Sequence, residues 1–252
     1  MRLVIVLLGV LLLGGVKLPL EHHLFITRAA HRLQSTPLDL NLREQIGQLS
    51  FVAALSGFRA VIADFLFIQA HVAWERTEWS RVLLLFRQVT MLQPRGILFW
   101  DMAAWHMAWN ASVAAFNNPA QPRLALRLKA QREYFDLGRD FLERGLQNNP
   151  DSPQLCEALG RLYRDKYKDH ARASAYFEMM AAKPGAPNYA KRFAVYELSF
   201  CEGREREAYE RLMALYATGE KERLPTMISR LKYLEEKLDI PLDQRISDAV
   251  RR

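Results

Sequence analysis

Six histidines, two cysteines and 28 carboxylates are the groups in this 252-residue chain that could ligate a metal or move a proton. Metal chemistry on helices wants His, Asp and Glu repeated at three or four residues, as in HExxH or paired ExxH patterns. Only those spacings bring two side chains onto one helix face. His22 and His23 are adjacent and face different sides, and Asp101 and His106 are five apart, poor for shared coordination. Cys156 and Cys201 form no CxxC or zinc spacing, and neither has a local context that would activate a thiolate. They read as buried free thiols, with a disulfide between them left open for an oxidising compartment. No P-loop, GxGxxG, GxSxG or CxxCH motif occurs. Carboxylate pairs abound, but nothing selects one for hydrolytic work. No catalytic residue, metal or cofactor is therefore expected, and the question becomes which partner the chain binds.

The elements that carry these residues read as helices throughout. Half of the residues are apolar, enough for a core, and long Val/Ile/Thr alternation is absent, so the expected fold class is all-α. The net charge of +7 comes from interleaved cations and anions rather than one basic block. That pattern describes solvated helix faces, and no nucleic-acid partner is expected. The N-terminus is different. After Met1-Arg2 the run LVIVLLGVLLLGGV is apolar on every side, then come Lys17 and Pro19. No A-x-A-like cleavage site follows, so residues 1–20 read as an uncleaved signal anchor in preference to a cleaved signal peptide. Arg2 favours an extracytoplasmic position for the rest of the chain, while Lys17, Arg28 and Arg32 weigh against it. The expected location is the inner membrane, single-pass.

Residues 21–48 read as a polar linker, and from Leu49 the helical pattern is continuous. The stretch LSFVAALSGFRAVIADFLFIQAHVAW resembles a second span, but Arg59 and Asp64 would sit at mid-depth, so a helix pair broken near Ser56-Gly57 is expected instead. Pro94, Pro150 and Pro184 each close an amphipathic helix. The last two are 34 residues apart, and the earlier gap of 56 is that period plus 22. The first repeat then covers 63–94, with Ala70 and Ala73 on the narrow side of one helix and Val82, Phe86 and Val89 on the other. The second covers 97–150. It has Trp100, Ala103, Ala104 and Met107 on its first helix, an insertion at 111–132 with Asn-Asn-Pro and Gln-Pro breakers, and a long helix from about 122 to 147. At 1.5 Å per residue that helix is roughly 40 Å long and should project past its neighbours. The third repeat, 153–184, carries Leu159-Gly160, Tyr163, Ala173, Phe177 and Pro184; the fourth covers 189–216, and a capping helix at 224–238 has one charged face.

The 34-residue period and the Leu-Gly, Tyr, Ala, Phe and Pro signature of the third repeat resemble the tetratricopeptide repeat, with one extra residue between its two helices. The segments GFRAVIADFLF, LQPRGILFWDMAAWHMAWN, QREYFDLGRDFLERGLQNNP and YELSFCEGREREAY are similar to membrane-anchored bacterial proteins of this type, whose function is uncharacterised. The resemblance implies an α-solenoid of helical hairpins over 49–252 in an envelope setting. It also implies that the first helix of each hairpin lines a groove. The groove positions would then be Asp64, Phe67, His71 and Trp74; Asp101, Trp105 and Trp109; Glu157, Arg161 and Arg164; and Phe193, Glu197 and Phe200. Aromatic and Arg side chains are common interface anchors because they bury large area with a polar handle. Ordinary packing competes with that reading for the tryptophans, satisfied core positions for His71 and His106, and local pairing with Glu157 and Asp165 for the two arginines. The implied function is a protein-interaction scaffold that binds or assembles a membrane or envelope complex. An integral structural subunit of such a complex is the alternative, and an envelope enzyme or peptidoglycan-binding protein a weaker one.

Overall fold

The computed structural model describes residues 57–246, and among these every regular element is helical. The anchor expected at 1–20, the linker at 21–48 and residues 49–56 lie outside the described residues. Among the described residues no helix is long and apolar enough to cross a membrane. The chain forms two compact units, residues 1–131 and 132–252.

In the N-terminal unit, Gly57 opens the described chain at φ +76°, and the first helix of the pair expected around Ser56-Gly57 lies outside the described residues. Helix α1 (Arg59–Glu75) follows, then α2 (Trp79–Leu92). The turn between them is closed by Thr77 N–H donating to the Trp74 carbonyl at 2.8 Å and Glu78 N–H to the Ala73 carbonyl at 2.9 Å. Thr77 itself sits at φ +57°. Ala63, Ala70 and Ala73 are buried on α1, and Val82, Phe86 and Val89 on α2. Small side chains on one helix let the large ones of the next approach closely. Helix α3 (Ile97–Trp105) buries Trp100, whose indole N–H donates to the Pro94 carbonyl at 2.9 Å.

The helical run that opens with α3 does not stop at Asn110. It passes through a π turn (His106–Ala111) into α4 (Ser112–Phe116), so that 111–116 belong to the helix and not to the insertion. Ser112 is buried here because its hydroxyl donates back to the Ala108 carbonyl at 2.6 Å. The break comes at Asn117-Asn118-Pro119, where the Asn118 side chain accepts from Ala120 N–H at 3.0 Å. Helix α5 (Leu124–Asn148) contains the boundary between the units. Its stripe of regularly spaced residues is buried at Gly138, Leu142 and Gly145, whereas Leu124 and Leu128 are exposed.

In the C-terminal unit, α6 (Pro153–Leu162) starts where Ser152 caps it, accepting from Leu155 N–H at 3.2 Å, with Pro153 in the first turn. A second π turn (Tyr163–Tyr167) follows, then Lys168 at φ +55°. This π turn accommodates one residue more than α geometry would, without ending the helix. Asp169 then caps α7 (His170–Ala181), accepting from Arg172 N–H at 2.9 Å. Gly160 faces Phe177 so closely that an added Cβ would lie 2.9 Å from the ring. Helices α8 (Ala190–Leu198), α9 (Glu205–Ala217) and α10 (Pro225–Lys237) complete the unit around Val195, Leu198, Ala208, Leu212, Met227, Leu231 and Leu234. The charged face of α10 is not wholly solvated. Glu235 is buried, and its carboxylate accepts from Ile246 N–H at 2.7 Å, tying down the segment after the helix.

Candidate interaction surface

The residues expected to contact a partner fall into separate neighbourhoods in the two units. In the N-terminal unit, Phe67, His71 and Trp74 recur at three- and four-residue steps along α1 and therefore share a face. Phe67 is drawn inward, edge-on to Phe86 at 5.9 Å and Phe99 at 5.4 Å. His71 stays exposed, paired with Glu75 at 3.6 Å and packed against Trp74 at 5.1 Å. Both members of that pair are open to water, so it contributes little to stability. Asp64 and Asp101 are exposed and Trp109 is half-buried.

His106 organises this neighbourhood. It is 2 % exposed and touches Trp74, Phe86 and Trp105 at ring separations of 5.3, 5.4 and 5.1 Å. The Asn110 amide donates to its Nδ1 at 3.2 Å, which leaves the ring's proton on Nε2. Burial, and then the charge of nearby His71, pulls its pKa down to about 4, so the imidazole is neutral at physiological pH. A neutral, hydrogen-bonded ring enclosed by aromatics is a satisfied core histidine. It backs a surface on which Trp105 remains 43 % exposed and Trp74 half-buried.

In the C-terminal unit the expected residues are largely engaged with one another's neighbours. Glu157 accepts from the Tyr189 hydroxyl at 2.9 Å. Arg164 grips Asp165 through two nitrogens at 2.7 and 3.2 Å, while Arg161 is exposed. Glu197 is buried and bonded to His170 Nδ1 at 2.7 Å. Phe193 packs edge-on to Phe177 at 5.5 Å. Phe200 lies exposed between the His170 ring, stacked at 4.8 Å, and the Arg230 guanidinium at 3.8 Å. Arg230 also covers Tyr233 at 4.5 Å and donates Nε–H to Ser199 Oγ at 2.8 Å.

His170, Arg230 and Tyr167 were absent from the expected set. Tyr167 donates its hydroxyl to Asp136 at 2.7 Å beneath the Arg132 guanidinium, 4.1 Å from the ring. Burial and that carboxylate push the phenol's pKa up. These partners lie 27 to 35 residues apart in sequence, beyond any local spacing rule. Cys156 and Cys201 are free; burial raises the pKa of both thiols, and Cys201 is only half-buried. Among the described residues no group of three or more His, Cys, Asp or Glu is gathered to hold a metal ion.

Comparison with known proteins finds no matching family model, no matching curated protein and no matching solved structure.

Proposed function

We propose that this chain is a binding scaffold: a helical repeat array of the tetratricopeptide type, held at a bacterial inner membrane by residues 1–20, that docks onto a membrane or envelope protein complex and helps assemble it. The observation that carries the reading is the aromatic surface of the N-terminal unit. Trp105 is 43 % exposed and Trp74 half-buried, and both rest on the buried ring of His106. Large aromatic side chains held rigid by packing, yet left open to solvent, are the usual energetic anchors of protein interfaces. His71 adds a polar rim beside them. An apolar, helical segment of a partner would fit such a surface, with its own large side chains against the indoles.

The test is partner recovery from membranes with Trp74→Ala and Trp105→Ala. A truncated hot-spot aromatic costs roughly 2 kcal/mol or more of binding, so the pair should lower affinity by on the order of a thousandfold. Trp105→Ala alone serves as the control for folding, because that ring already faces water. Undiminished recovery of partners by a folded double variant would overturn the assignment of this surface.

A further inference from the structure

Helix α1 is apolar on two opposite sides. Ala63, Ala70 and Ala73 are wholly buried on one of them. At 100° per residue the other carries Val61, Phe65, Ile68 and Val72, spaced four, three and four residues apart. Val61, Phe65 and Ile68 are 62, 60 and 59 % exposed, and Val72 is half-buried. The stripe is about 16 Å long. Spacing of this kind is the seam along which one helix packs on another, and a helix apolar on both sides is normally enclosed on both. The chain reaches α1 through Gly57, whose φ of +76° is open to glycine and lets the backbone reverse. The sequence before that glycine carries the same stripe in mirror image. Leu42, Ile46, Leu49 and Ala53 stand 15, 11, 8 and 4 residues before Gly57, and Val72, Ile68, Phe65 and Val61 stand 15, 11, 8 and 4 after it. Arg43, Glu44 and Gln48 fall outside that stripe. In a helical hairpin, positions equidistant from the turn lie side by side, so the mirror sets four apolar layers against one another. Neither a bilayer nor a second copy of the chain calls for such symmetry about Gly57. A tethered segment also meets α1 at an effective concentration in the millimolar range, which a second copy does not.

We infer that residues 42–54, which lie outside the described residues, form a helix that packs antiparallel on Val61, Phe65, Ile68 and Val72 and closes a hairpin at Gly57. The helical part of the chain then begins near Leu42 rather than at Leu49. Leu42 comes to rest beside Val72, at the end of α1 that carries His71 and Trp74. Residues 21–41 therefore leave this unit next to its aromatic surface. The hairpin depends neither on that surface binding a partner nor on residues 1–20 being an anchor.

The experiment is disulfide cross-linking in the full chain, with Leu49→Cys paired with Phe65→Cys. The reference pair is Phe51→Cys with Phe65→Cys, because Phe51 falls on the opposite side of the same helix. A disulfide needs Cβ atoms about 4 Å apart, so under mild oxidation the first pair should close within one chain at least about tenfold faster than the second. Peptide mapping separates that bond from any made by Cys156 or Cys201. A second variant, Phe65→Ser, removes the largest side chain of the stripe from a position that α2 does not cover. It should speed amide exchange across 42–54 by about tenfold while exchange in α2 stays unchanged, which reports an intact α1–α2 pair. Equal closure of the two cysteine pairs overturns the inference. So does failure of the first pair to close while α2 stays protected. A cross-link between two chains at position 65 would assign a second copy. Quenching of a fluorophore at that position by spin-labelled lipid in nanodiscs would assign the bilayer, and either result overturns the hairpin equally.

Discussion

Gly160→Ala tests the packing of the C-terminal unit at its tightest point. Two opposing effects can be compared directly. Within a helix, Ala is favoured over Gly by about 1 kcal/mol, so on propensity alone the substitution stabilises. The added methyl, however, would sit 2.9 Å from two ring atoms of Phe177 and 3.1 Å from a third. The ring must retreat by about half an ångström to reach ordinary contact, and it has little room. Phe177 is wholly buried and is met edge-on by Phe193 at 5.5 Å. Overpacking of this kind costs typically 1–3 kcal/mol, and the enclosed ring places the cost toward the upper end. The net expectation is a loss of roughly 1–2 kcal/mol. Urea unfolding of the full chain followed by far-UV circular dichroism measures it, with hydrogen exchange in α6 and α7 locating it. The five tryptophans all lie between residues 74 and 109, in the N-terminal unit, so native-state fluorescence should not change. Combining Gly160→Ala with Phe177→Leu should recover stability relative to the sum of the two single changes, by on the order of 1 kcal/mol. A Gly160→Ala chain as stable as the parent, or single costs that merely add, would refute the close approach.

Two further perturbations probe the neighbourhoods of buried His106 and half-buried His170. His106 has a folded-state pKa of about 4 against an ordinary value of 6.5, so between those values the unfolded chain binds more protons. Stability is full above pH 6.5 and falls as pH drops toward 4; about 2 kcal/mol should be lost between pH 7.5 and pH 5. His106→Phe should flatten that dependence in urea midpoints taken across the range, and an unchanged slope would contradict the assignment. His170→Ala removes the imidazole that Glu197 meets at 2.7 Å and leaves a buried carboxylate without it. A loss of about 2–4 kcal/mol is expected, read by thermal unfolding, whereas Arg172→Ala on the exposed side of the same helix should change little.

The helices themselves were legible in the sequence because their signals are local. Proline and glycine punctuation and the helical spacing of Val82, Phe86 and Val89 act within a few residues. The burial of Ala70, Ala73, Trp100 and Met107 follows from the same periodicity. What was not legible depends on groups that meet from afar. Glu197 and Phe200 stood out as candidates for an open surface, yet one is bonded to His170 and the other sandwiched by His170 and Arg230. Nothing near residue 197 in the sequence announces a histidine 27 positions earlier. The continuation of the α3 helix to Phe116 was hidden for another reason. The insertion was expected to begin at residue 111, yet the Asn110 side chain at that junction bonds back to His106 one turn earlier and the helix runs on. An asparagine so satisfied does not compete with the helix.

The two π turns also act on the chain's tolerance of length change. Each carries one residue beyond α-helical need, at His106–Ala111 and at Tyr163–Tyr167. Removing a single residue from either should let the turn relax to α geometry and keep both flanking helices, whereas the same deletion in α2 would rotate every following side chain by about 100° and turn its core face away. These two sites are therefore slack points in an otherwise phase-locked chain. They are where related chains could gain or lose one residue and still fold, and where a change of length would re-aim Trp105 and Tyr163 without dismantling the units that hold them.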